Sequence, residues 1–187
     1  MNILLANDHA GTSLKNEIKK VLENKGYSVV NLGCDTEESV DYPDFAHPLA
    51  EKISNNENLK GIIICGSGIG VSMSANKHKG VRSALCWNKE TAKLSRSHNN
   101  ANVLSLPARF LQKKEAIEIV EIFLNTDFEG GRHERRVKKI EKKKLDYFKI
   151  STILITFAIT LKFISVIYTI LFLPILFIKN KKSLIKD

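Results

Sequence analysis

Five short apolar runs, each followed by a stretch whose apolar residues recur at helical spacing, constrain the fold of this 187-residue chain more than any other feature. The runs are 2–6, 28–32, 60–65, 81–86 and 101–106. Leu14, Ile18, Val21 and Leu22 place a helix over 12–25, and Gly26 is its stop signal. Pro43, in a first turn, opens a helix reaching about residue 54. Further helices are expected over about 69–77, 89–97 and 113–125, and a basic helix over 132–146 after Gly130-Gly131. Strands alternating with helices imply βαβ units and a parallel sheet. The expected fold is therefore a doubly wound, three-layer α/β/α domain, Rossmann-like, with five parallel strands. In such sheets ligands bind beyond the carboxyl ends of the strands. That rule points to the loops 7–11, 33–42, 65–70, 87–88 and 107–109.

Charge separates this domain from the C-terminal segment. The formal charge of +9 suggests nucleic acid at first sight, but residues 1–137 hold 18 basic and 17 acidic side chains. Residues 138–187 hold 11 against 3. A near-neutral domain without a basic stripe and interleaved aromatics is not a nucleic-acid binder. The start, MNILLAND, lacks the basic segment and long apolar stretch of a secretory signal. Three cysteines, an odd number, argue against a disulfide scaffold and for a reducing, cytoplasmic setting.

Cys65 ends an apolar run and is followed at once by Gly66-Ser67-Gly68-Ile69-Gly70. Glycines let backbone N–H groups approach an anion, and a helix N-terminus behind them adds a positive field. The same field favours thiolate. One segment could thus supply a base and an oxyanion site, although Cys65 as a small buried filler is the plainer reading. The pattern is G-x-G-x-G, neither a dinucleotide fingerprint nor an NTPase phosphate loop. Asp8-His9 follows the first strand and suits hydroxyl binding or proton transfer, or Asp8 simply caps a turn. His98 and Asn99 precede the fifth strand, as acid/base and hydrogen-bonding candidates or as surface residues. Arg132 and Arg136, four apart on a helix start, share one face and match phosphate oxygens, with Arg109 as a third cation; a solvated basic face is the alternative. With no C-x-x-C or H-E-x-x-H pattern, no metal site is expected.

Read in order, Asn7-Asp8-His9-Ala10-Gly11, Asp41-Tyr42-Pro43, Cys65 to Gly70, Ala75-Asn76-Lys77, Leu94 to Asn99 and Gly130-Gly131-Arg132-His133 resemble ribose-5-phosphate isomerase type B, of the family that includes allose and galactose phosphate isomerases. The resemblance covers about residues 1–147. It implies a cofactor-free aldose–ketose isomerase acting on a sugar phosphate. Cys65 would remove the proton beside the carbonyl. The backbone of Gly66, Ser67, Gly68, Ile69 and Gly70 would stabilise the enediolate, with Asn99 helping. Ser67 would handle protons on the substrate oxygens. His98 would assist ring opening, and Asp8 and His9 would contact the open-chain sugar. Arg109, Arg132 and Arg136 would hold the phosphate. The resemblance also implies a homodimer with sites between subunits. A hexose 6-phosphate isomerase, a non-catalytic sugar-phosphate-binding module and a membrane-tethered scaffold are the competing readings.

The tail, 148–187, departs from the family. Residues 150–178 form an apolar run of 29, interrupted by Lys162 and Pro174 and flanked by lysines. A bilayer span needs about 20 residues, so a transmembrane helix tethering the domain to the inner face of a membrane is one expectation. A non-native extension and an interfacial helix are the others.

Overall fold

The computed structural model describes residues 2–141 and 155–167. The chain divides after Lys142 into two units. In the first, five strands form one parallel sheet: β1 (Asn2–Asn7), β2 (Ser28–Asn31), β3 (Lys60–Cys65), β4 (Ser83–Leu85) and β5 (Val103–Pro107), in the order β2-β1-β3-β5-β4. Between and after them run α1 (Thr12–Asn24), α2 (Pro43–Asn55), α3 (Ile69–Ala75), α4 (Lys89–Ser97), α5 (Lys113–Asn125) and α6 (Arg132–Val137).

Strand alternation explains the three layers. Ile3, Leu5, Ile62, Ile64, Leu104 and Leu106 face α1, α4 and α5; Leu4, Ala6, Ile63, Cys65 and Val103 face α2 and α3. Central strands buried on both faces read as unbroken apolar runs, which is why β1 and β3 stand out in the sequence. Gly61 permits the close approach of α2: a Cβ there would come within 2.8 Å of Leu49 Cδ2. Asn88 caps α4 by accepting from the Thr91 N–H at 2.8 Å.

The order of strands reverses between β1 and β3. β2 lies on one side of that pair and β5 on the other, so the loops after β1 and β3 diverge and leave a crevice at the carboxyl edge. The Asp8 N–H donates to the Ile64 carbonyl at 3.1 Å and ties the two strand ends together.

The basic helix is shorter than its charge pattern suggests. α6 ends at Val137, a turn comes next, and the remainder of 132–146 lies outside the described residues. The expected transmembrane helix is corrected by the structure. Among the described residues of that region, 155–167 are helical with exposed side chains. No helix among the described residues is long and apolar enough to cross a membrane. Residues 150–154 and 168–178 of the apolar run lie outside the described residues.

Candidate active site

Cys65 is the last residue of β3, and its side chain is buried on the α2/α3 face. The chain then turns through Gly66 to Gly68 into α3. Gly68 has left-handed backbone, φ +72°, and its N–H donates to Cys65 Sγ at 3.1 Å. A Cβ at Gly68 would meet the Leu106 carbonyl carbon and the Pro107 nitrogen at 3.1 Å, so glycine is demanded by both conformation and space. Ser67 Oγ accepts from the Ile69 N–H at 3.3 Å. The Arg109 guanidinium lies over Gly66, where a Cβ would come within 3.1 Å of its Nε, and the Arg109 N–H donates to the Gly66 carbonyl at 3.1 Å. Tyr42 closes the other side: a Cβ at Gly70 would sit 2.6 Å from its ring carbon Cζ.

The loop after β1 adds two groups. Asp8 Oδ1 accepts from the Ala10 N–H at 3.0 Å, so Asp8 does cap the turn His9–Gly11. Burial raises its pKa above the ordinary carboxylate value, against the lowering pull of His9, the backbone N–H groups and Arg109. His9 Nδ1 accepts from the Val40 N–H at 3.2 Å, which leaves the proton on Nε2. Buried Asn7 organises this corner, its Nδ2 donating to the carbonyls of Asp8 (2.7 Å) and Cys34 (3.0 Å) and to Thr12 Oγ1 (3.1 Å). Fully buried Lys15 donates to the Cys34 carbonyl at 3.0 Å and pairs with Asp35, pinning the loop that carries Val40.

A second group of the expected residues is elsewhere. His98 follows α4, whose carboxyl end returns to the start of β5, and Glu129, whose N–H donates to the Ser97 carbonyl at 3.0 Å, leads into α6. His98 and His133 stack with ring centroids 4.1 Å apart and planes 8° from parallel. Arg132 Nε donates to His133 Nε2 at 3.3 Å, and Glu129 Oε2 is 3.7 Å from His98 Nε2 and 3.8 Å from His133 Nε2. Asn99, Arg132 and Arg136 are exposed beside them in the chain. Burial, then the neighbouring His98 and Arg132, lowers the His133 pKa.

These groups occupy opposite edges of the sheet. All pairings are parallel, so every strand ends at the edge that holds Cys65, Asp8, His9 and Arg109. A helix returning to the next strand ends at the other edge, where His98 sits near the start of β3; Gly61 N–H there donates to the Asn102 carbonyl. The length of β3, about 17 Å, separates the two. The carboxyl-edge rule therefore finds nine of the thirteen expected residues and misses His98, Asn99, Arg132 and Arg136. Tyr42, Asn7, Glu129 and His133 are parts of these clusters that residue chemistry alone does not single out, although the first two and the last sit inside the family motifs.

Residues 3–140 match the family described as Ribose/Galactose Isomerase. The chain belongs to that family. Within it, the chain is 50% identical over 141 residues to a probable ribose-5-phosphate isomerase B of Mycoplasma genitalium, covering 74% of this chain and 93% of the relative. A putative sugar phosphate isomerase of Bacillus subtilis is 45% identical over 149 residues, covering 78% of this chain and all of the relative. Among solved structures, a ribose 5-phosphate isomerase from Thermotoga maritima superposes with a TM-score of 0.72 at 49% identity, over 74% of this chain and 96% of that one. The Mycoplasma genitalium enzyme with bound ribulose 5-phosphate superposes with a TM-score of 0.73 at 50% identity, over 74% and 93%. The matches to this isomerase family stop before the apolar tail.

Proposed function

We infer that this chain interconverts ribose 5-phosphate and ribulose 5-phosphate through an enediolate. The observation that carries the reading is the Cys65 loop, in a chain half identical to a relative whose structure holds ribulose 5-phosphate. Cys65 as thiolate takes the C2 proton of the open-chain aldose. The electron pair forms the C1–C2 double bond, and the C1 oxygen takes the charge. Backbone N–H groups of 66–70 stabilise that oxygen. Ser67 moves the hydroxyl proton from O2 to O1, and the Cys65 thiol returns its proton to C1. His9, donating from Nε2, and Asp8 hold the sugar hydroxyls. His98 assists ring opening, Asn99 hydrogen-bonds the enediolate, and Arg109, Arg132 and Arg136 clamp the phosphate.

One subunit cannot bring Cys65 and His98 to one substrate across the sheet. The reading therefore includes a homodimer in which one protomer's carboxyl edge meets its partner's His98 edge. An apolar rim supports it: Met73 and Phe110 are 63% and 75% exposed, and Ile69, Met73 and Leu85 line a concavity of about 430 Å³ beside the glycine loop. Free, buried cysteines suit a reducing cytoplasm. The sugar-phosphate domain is taken as residues 1–147.

The test is a ribose 5-phosphate to ribulose 5-phosphate assay on the full chain with EDTA present, with allose and galactose 6-phosphates in parallel. Turnover of the pentose, lost in Cys65→Ala while the fold and phosphate binding persist, is the expected result. Activity retained by Cys65→Ala removes the base role. Turnover of a hexose phosphate alone replaces the substrate.

A further inference from the structure

His98, Glu129 and His133 present three donor atoms that all lie within 4.8 Å of one another. We propose that these residues form a binding site for one divalent transition-metal ion, Zn²⁺ as the probe, and that its occupation inhibits the enzyme. The inhibition rests on the role given above to His98; the binding does not.

The donor set is two imidazoles and one carboxylate, a combination that holds zinc with a fourth position open. Metal–ligand distances near 2.0–2.2 Å in a tetrahedron put neighbouring donors about 3.4 Å apart. Glu129 Oε2 already stands 3.7 and 3.8 Å from the two Nε2 atoms. The two rings must splay from their stack to complete the geometry. His98 and Glu129 side chains are 35% and 56% exposed, so both can move while buried His133 stays fixed. The Arg132 Nε–H holds the His133 Nε2 lone pair at 3.3 Å; Arg132 is exposed and can leave it to the ion. Bound metal takes the His98 nitrogen from proton transfer and adds a cation that displaces Arg132. Occupation of the site therefore blocks the step assigned to His98.

A second pair of imidazoles needs a control. His47 Nδ1 and His78 Nε2 are 2.8 Å apart on the surface, and two histidines alone can hold zinc weakly. The experiment is calorimetric Zn²⁺ titration of the full chain under a non-chelating reductant, in a His78→Ala background. Imidazole proton resonances are followed by NMR. One ion per chain is expected, with the His98 and His133 ring signals shifting together. Glu129→Ala and His133→Gln should each weaken binding at least tenfold. Arg132→Ala should leave it as tight or tighter. Zinc should lower the kcat of the wild-type enzyme for ribose 5-phosphate. Binding that survives Glu129→Ala and His133→Gln, or that vanishes with His78→Ala, overturns the site. Should either variant fail to fold, the ring signals of wild-type protein decide: no joint shift overturns it. Binding without inhibition overturns the inhibitory role. A chain that binds one ion here yet turns over no sugar phosphate fails the functional reading and keeps the metal site.

Discussion

The Gly68 N–H donates to Cys65 Sγ at 3.1 Å, and Gly68 itself has left-handed backbone. Any side chain at Gly68 adopts that conformation at a cost of about 1–2 kcal/mol and also presses on Leu106 and Pro107. Gly68→Ala should lower kcat at least tenfold, with a smaller change in KM, because the displaced group is needed when charge develops. Steady-state kinetics alongside a thermal melt checks this. Unchanged kcat in a folded variant would separate the N–H from the chemistry.

Cys65 and His98 stand at opposite edges of one sheet, which makes a mixing experiment decisive for the two-subunit site. Cys65→Ala and His98→Ala homodimers should each be inactive or nearly so. Refolded together, half of the dimers are mixed, and each mixed dimer has one site with both groups intact. Recovery to about a quarter of wild-type activity is expected from that symmetry. No recovery, with mixed dimers demonstrated by mass, would place both groups in one protomer's site.

The edges explain how far the sequence could be read. The bounds of α4 and α5 follow from periodicity and caps, and both end where the pattern ends, at Ser97 and Asn125. β1 and β3 are legible because burial on two faces leaves no polar residue to interrupt them. Alternating strands and helices already imply that His98, between a helix and the next strand, lies at the edge opposite Cys65; strand order, which no local pattern gives, sets their separation across the sheet. Glu129 has no motif, and tertiary bonds bring it to His98: its own N–H to the Ser97 carbonyl, and Arg96 Nε to the Thr126 carbonyl. Lys15 reads as a solvated helix residue and is fully buried, because its partners Cys34 and Asp35 come from a loop about 20 residues away. Total hydropathy makes the apolar tail resemble a span, whereas no helix among the described residues is long and apolar enough to be one.

Arg136 is exposed on α6, one turn after Arg132. If the pair clamps phosphate, Arg136→Ala should raise KM for ribose 5-phosphate at least tenfold and leave the thermal midpoint within a few degrees. An unchanged KM would return α6 to a merely solvated basic face.

Lys60 opens β3 half-buried, and burial, then Arg96 and Arg82, lowers its pKa from 10.5 to about 8. The unfolded chain keeps that proton up to about 10.5, so between about pH 8 and 10.5 it binds more protons than the folded one. Stability from this group therefore rises with pH across that window, and the full penalty is present below pH 8. A shift of this size corresponds to about 3 kcal/mol, reduced by solvent screening at a half-buried site to roughly 1–3 kcal/mol. Lys60→Met keeps the packing of the stem and removes the charge. It should stabilise the domain by that amount at pH 7, and the advantage should shrink as pH rises from 8 to 10. Urea unfolding at pH 7 and at pH 10 measures both. An advantage equal at the two pH values would assign it to repacking of β3, and no advantage at pH 7 would mean that Lys60 reaches solvent with its charge intact.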